Sequence, residues 1–340
     1  MEVQASGTET LVRGHARRPV SRMAALSRLR QPLASTAPPL MTMTKPTPRR
    51  SVLYVPATNS RAIEKARHLP CDAIVFDLED AVAPPMKAQA RDNLASAFAA
   101  QPFAAHETVI RINALATTEF DADLRTAATC GADAILLPKV DSGADLERFA
   151  AAIGAIANSP APRLWAMIET AAAIHHIDGI LQAGQRRQLQ LDCLVVGTND
   201  LAKETGVYPG DHRAYLLPWL MSVVLAAKRY GMDVLDGVWN DFGDRVGFDN
   251  EVLQSARMGF DGKTLIHPSQ VEPANAAFTP SDAATAEARA IVAAFARPEH
   301  AAAGVINLEG RMVERLHLEQ ATRLLARLDT IRARGERPGR

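Results

Sequence analysis

At 340 residues and 47% hydrophobic content, the chain could form two small domains or one eight-fold barrel of about 250 residues with extensions. Lys and Arg total 38, as do Asp and Glu, so no charge imbalance marks it for nucleic acid or an anionic membrane. No apolar run approaches the ~20 residues that span a bilayer. The three scattered cysteines, Cys71, Cys130 and Cys193, read as reduced core residues of a cytoplasmic protein, without a disulfide frame or metal knuckle.

Residues 1–48 stand apart. They carry Arg13, Arg17, Arg18, Arg22, Arg28 and Arg30 against only Glu2 and Glu9, and end in a Pro-rich stretch from Pro38-Pro39 to Pro48. Such a composition suits either an organelle transit peptide or a disordered tail ahead of a later start at Met23, Met41 or Met43. The Ala/Arg-rich bacterial style of the chain favours the tail, and the segment is excluded from the fold.

From there, eight short apolar runs recur: residues 52–56, 73–77, 108–111, 134–138, 164–168, 193–197, 233–235 and 264–266. Each has the length of a buried strand, and each gap can hold a helix. Helices are expected over 60–68, 87–99, 121–128, 144–157, 171–183, 213–230 and 249–258, with Gly131, Gly231 and Gly259 as left-handed caps after three of them. After the eighth run come a helix near 281–296, a short excursion from 304 to 314, and a last helix over 318–332. Alternating strand and helix predicts an α/β protein, a (β/α)8 barrel with its chemistry on the rim where the strands end. An open doubly wound sheet would show a glycine-rich loop after the first strand, and Pro56-Ala57-Thr58-Asn59 is not one. The expected divisions are a tail at 1–48, a barrel at 49–280 and a C-terminal helical lid at 281–335.

Polar groups collect at the run ends. Glu169 follows residues 164–168, and Asp200 follows 193–199. Together they offer an oxygen-rich seat of the kind Mg²⁺ prefers, with positions left for water and substrate oxygens. Read singly, each acid is better explained as a helix cap. The cap reading leaves Arg111, Glu79 and Asp80, all on the same rim, without a purpose. Arg111 suits a substrate carboxylate or carbonyl oxygen, or an ion pair with Glu79 or Asp80. The turn Gly197-Thr198-Asn199-Asp200 presents backbone N–H groups at a helix start. Lys139 invites a Schiff-base reading but is more simply a rim ion-pair partner. His267 is an acid/base, a ligand contact or a strand terminus. Lys87 and Arg91, four apart on one helix, hold a phosphate or pair with acids. His175-His176 carries no assigned role.

Taken in order, segments 50–56, 77–82, 111–113, 137–140, 168–171, 197–201 and 259–268 resemble the CitE-like branch of the HpcH/HpaI aldolase and citrate lyase β-subunit superfamily. The similarity runs from about Arg50 to about Ala326. It implies a barrel dependent on Mg²⁺ (Mn²⁺ as substitute), a homotrimer or homohexamer, that makes or breaks carbon–carbon bonds in malyl-, citramalyl- or citryl-CoA. Under that resemblance Glu169 and Asp200 are the metal ligands, and Arg111 holds the keto-acid oxygen. Tyr54, Lys65, Asn199, Asp200, Ile266 and His267 lie along the substrate and CoA path, and Glu79 and Asp80 organise waters around the metal. A C-terminal aspartate of such relatives serves a neighbouring subunit as acid/base, and here Glu314 takes its place. Alternatives are a malyl-CoA-type thioesterase, a non-catalytic CoA-binding subunit of a lyase complex, and a metal-dependent pyruvate aldolase. The last is disfavoured by Asp80, where the aldolases carry histidine.

Overall fold

The structure, a computed structural model, describes residues 48–156, 162–186, 189–300 and 302–335. The tail expected over 1–48 lies, but for its last residue, outside them. Eight parallel strands close into a barrel: β1 Ser51–Pro56, β2 Ala73–Asp77, β3 Glu107–Arg111, β4 Ala134–Leu137, β5 Arg163–Ile168, β6 Leu191–Val196, β7 Asp233–Asp236 and β8 Gly262–Leu265. Each pairs with its sequence neighbours, and β1 closes the ring on β8. The expected barrel is the observed one.

Period-two alternation splits the strand residues between two cores. Val52, Val75, Val109, Leu136, Trp165, Met167 and Val195 fill the barrel interior. Their neighbours Leu53, Ile74, Phe76, Ile110, Ile135 and Leu194 face the helices. Burial on both faces explains why the strands read as continuous apolar runs. At the base, Arg49 donates to Glu107, Asp192 and Asp233 and lies 4.7 Å over the Trp165 ring. Gly262 sits against this plug: a Cβ there would fall 1.7 Å from the Arg49 carbonyl oxygen.

Several helix expectations are corrected. The helix expected over 171–183 breaks at His176 into Ala171–His175 and Ile177–Gly184, and the His176 ring Nδ1 lies 3.0 Å from the Asp141 carbonyl oxygen. The helix expected from residue 213 starts at Leu217, beyond a turn where Asp211, His212 and Arg213 all hold positive φ. The excursion at 304–314 is an antiparallel hairpin, β9 Val305–Leu308 and β10 Arg311–Glu314, turning through Glu309 and Gly310 at positive φ. Its inner face joins the helices Asp282–Phe295 and Arg315–Gly335 in a core of their own, through Ile306, Val313, Ile291, Phe295 and Ala321. The caps at Gly131, Gly231 and Gly259 hold, with φ of 69°, 69° and 95°.

The last helix is tied to the barrel base, where strands begin. Arg334 donates to the carbonyls of Cys71 and Ala105 and lies 3.1 Å from Asp72, just ahead of β2. Arg327 donates to the carbonyl of Asp261, ahead of β8.

Candidate active site

Inward alternation delivers polar side chains to the opposite end. On β1, β2 and β3 the inward series ends in Tyr54, Asp77 and Arg111; beyond β5 it ends in Glu169. Asp77 and Arg111 are register partners on adjacent strands, so their side chains meet. Arg111 donates through Nε to Asp77 Oδ1 at 2.8 Å and through Nη2 to Oδ2 at 2.5 Å. The remaining nitrogen, Nη1, lies 3.0 Å from Glu79 and 3.6 Å from Asp80. The guanidinium also stands 4.9 Å from the Tyr54 ring centroid. The ion pair expected with Glu79 or Asp80 therefore exists, but Asp77 is the principal partner. Asp77 carried no expectation because its position opposite Arg111 depends on strand register.

The turn after β2 is held from below. Asp77 accepts the N–H groups of Glu79 and Ala81. Lys87 Nζ donates to the carbonyls of Leu78 and Glu79 and to Asn113 Oδ1. Arg91 pairs with Glu119 and Asp123. Of the two readings of Lys87 and Arg91, the structure shows internal pairing: Lys87 is buried in fixing the turn and Arg91 is held by two carboxylates.

Glu169 is 1% exposed and does not cap a helix. Thr170 does that, accepting from the Ala173 N–H. Glu169 Oε1 instead accepts the Lys139 N–H at 2.8 Å, with Lys139 Nζ 3.6 Å away. That ammonium also donates to Asp200 Oδ1 at 3.0 Å, so one cation already spans both carboxylates. Burial raises the Glu169 carboxyl above its ordinary value against the pull of Lys139. Burial opposes the Lys139 charge, but Glu169 and Asp200 outweigh it and raise its pKa. Room for the glutamate comes from Gly197, where a Cβ would lie 2.5 Å from Glu169 Cβ and 2.7 Å from its Oε2.

These groups border a cavity of about 420 Å³ whose lining includes Tyr54, Asp77, Asp80, Arg111, Met167, Glu169, Asn199, Asp200, Asn240 and Ile266. Two polar atoms here are buried without a hydrogen-bond partner, the Tyr54 hydroxyl and Glu79 Oε2; the latter touches Arg111 without hydrogen-bond alignment. Burial drives the Glu79 carboxyl from 4.5 to about 8, with the Asp80 charge adding to it against Arg111. It pushes the Tyr54 phenol up as well.

Seven expected residues thus converge: Tyr54, Asp80, Arg111, Glu169, Asn199, Asp200 and Ile266. Glu79 stands behind Arg111. His267 is exposed, its ring Nδ1 2.8 Å from Ser269 Oγ, and stacks on Phe242 at 5.0 Å. Lys65 is exposed on the helix Ser60–Ala66 and Glu314 sits on β10; neither lines the cavity. Asn240 was missed, although its place just beyond β7 is a rim position. Its amide exchanges hydrogen bonds with Asn199 at 2.8 and 3.1 Å and so fixes the turn that carries Asp200.

The donor set fits a magnesium ion. Both carboxylates reach one cationic group, the Lys139 ammonium, and among the described residues no group of three acids, histidines or cysteines forms a closed cage. Oxygen-only ligation with open positions is what Mg²⁺ favours.

A parallel barrel whose strand ends gather carboxylates around a cation seat defines an enzyme-type scaffold. Residues 50–268 match the HpcH/HpaI aldolase/citrate lyase family, and the chain belongs to it. A (3S)-malyl-CoA thioesterase of Cereibacter sphaeroides is 43% identical over 287 residues, covering 84% of this chain and 96% of the relative. An L-malyl-CoA/beta-methylmalyl-CoA lyase of Rhodobacter capsulatus is 34% identical over 296 residues, covering 80% and 92%. The crystal structure of CitE from Mycobacterium tuberculosis in complex with magnesium, acetoacetate and coenzyme A superimposes with a TM-score of 0.66 at 29% identity, covering 82% of this chain and 97% of that one.

Proposed function

We propose that the chain is a magnesium-dependent acyl-CoA lyase that reversibly cleaves a 3-hydroxy-3-carboxyacyl-CoA, such as malyl-, citramalyl- or citryl-CoA, to acetyl- or propionyl-CoA and a 2-keto acid. One observation carries the reading: Glu169 and Asp200, with no capping bond from Glu169, flank a single cation on the cavity that Arg111 also borders. Magnesium at that seat would act as a Lewis acid toward the substrate's hydroxyl and carboxylate oxygens. The chain's own groups do the rest. Arg111, locked by Asp77, offers a fixed positive charge to the oxygen that becomes the keto group as the carbon–carbon bond breaks. Tyr54 contributes a buried hydroxyl in want of a partner. Glu79 and Asp80 would organise waters around a bound ion.

The departing thioester enolate needs a proton at carbon, and the reading assigns it to Glu314 of a neighbouring subunit. Two observations support delivery across a subunit boundary. Glu314 does not line its own chain's cavity, and the helix that follows it is anchored through Arg327 and Arg334 to the far end of the barrel. On the hairpin, Val313 and Ile306 point inward, so Glu314 shares the outer face with Met312 and Val305, which are 69% and 48% exposed. The working unit is then a cytoplasmic homo-oligomer, with residues 49–280 carrying the seat and 281–335 forming the lid.

Thioester hydrolysis is the second reading, favoured by the higher identity to malyl-CoA thioesterases than to lyases, 43% against 34%. Incubation with Mg²⁺ and malyl-CoA separates the two. Glyoxylate with acetyl-CoA marks the lyase; free thiol without glyoxylate marks hydrolysis. Glu169→Ala is expected to abolish either activity while the circular dichroism spectrum is unchanged. Undiminished turnover of that variant in chelator would refute both.

A further inference from the structure

Lys139 is an unusual residue for its position. It holds φ of 52°, left-handed backbone that side-chain-bearing residues seldom adopt. Such strain persists only where surrounding contacts over-determine it. Here those contacts all run to the two acids: the Lys139 N–H to Glu169 at 2.8 Å, and its ammonium to Asp200 at 3.0 Å with Glu169 3.6 Å away. The same lysine thus reaches Glu169 from both backbone and side chain.

We propose that Lys139 is the built-in counter-cation of the Glu169/Asp200 pair, a positioning residue whose ammonium holds the divalent seat until the ion arrives and must then leave it. The inference rests on the reading of that pair as a magnesium seat. Without a cation, the two carboxylates brought together on this rim repel. The ammonium relieves this and keeps both acids aimed at one point. A divalent ion drawing on the same oxygens meets a positive charge already in contact with them, so loading requires displacement. The lysine's stem is suited to this, because its side chain is 40% exposed to solvent. The N–H bond to Glu169 stays in place through the exchange. Lys139 therefore sets the magnesium concentration at which the protein loads.

The test is calorimetric titration of Mg²⁺ into chelator-stripped protein, with no substrate present. Lys139→Gly keeps the left-handed turn and its N–H without strain, and Lys139→Met keeps the bulk without the charge. Both are expected to bind Mg²⁺ roughly tenfold more tightly than the unmodified protein, the scale of one displaced, partly exposed ion pair. Lys139→Arg is expected to stay close to the unmodified affinity. Glu169→Gln serves as the reference for the seat itself. Unchanged or weaker binding in both neutral variants, with uptake still lost in Glu169→Gln, overturns the role of Lys139 and leaves the metal seat standing. Uptake indifferent to Glu169→Gln overturns the seat and the inference with it.

Discussion

Two residues set the character of the site through what surrounds them. Gly197 is one: its missing side chain is the space in which Glu169 sits. Gly197→Ala places a methyl 2.5 Å from the glutamate's own Cβ, and a strand-end backbone cannot yield that distance cheaply. The variant is expected to fold but to lose roughly 10–100-fold in magnesium affinity, as when a ligand's support is disturbed. Calorimetric titration checks this, and an unaltered affinity would place the glutamate's reach outside the metal seat. Glu79 is the other. Its carboxyl titrates at about 8 in the fold against 4.5 when free. A carboxyl with a raised pKa favours the fold in its neutral form. Its contribution is therefore complete below pH 4.5 and lost as pH climbs through about 8. Melting curves of metal-free protein across that window are expected to show declining stability, with a shallower decline in Glu79→Gln. Equal slopes would mean that the carboxyl is already ionised at neutral pH.

Elements differ in how openly the sequence announces them. The eight barrel strands are legible because burial on both faces leaves uninterrupted apolar runs. The hairpin of β9 and β10 is not: only Ile306, Val313 and the half-buried Leu308 point inward, and its turn puts a glutamate rather than asparagine or aspartate at positive φ. The break at His176 is hidden too, since Ala and Ile on both sides read as one helix. At the site, Glu169, Asp200 and Arg111 follow from their places at strand ends. Asp77 needs the β2–β3 register, and Lys139 needs a backbone angle that its identity argues against. The anchoring of the C-terminal helix is likewise a matter of packing alone. Arg334 is 4% exposed and supplies two carbonyls and a carboxylate. Arg334→Ala strands those acceptors, although Arg50 still neutralises Asp72. A loss of about 2–3 kcal/mol in urea denaturation is expected. A loss below the error of such curves would mean that the helix docks through apolar contacts only.

At the scale of the whole molecule, the described residues put the carboxylate seat at one end of the barrel and the tether of the last helix at the other. If a second subunit completes each site, two defects on different chains should cure one another. Glu169→Ala and Glu314→Ala proteins, each inactive alone, are expected to regain turnover when dissociated and reassembled as a mixture. Silence in the mixture would confine Glu314 to its own chain or to no role. No helix among the described residues is long and apolar enough to cross a membrane.

The Asp77–Arg111 clasp joins two adjacent strands inside a closed ring. Its aim is consequently insulated from the loops above it, where Asn199, Asn240 and Phe242 stand exposed. The loops above can be redrawn without disturbing the clasp beneath them.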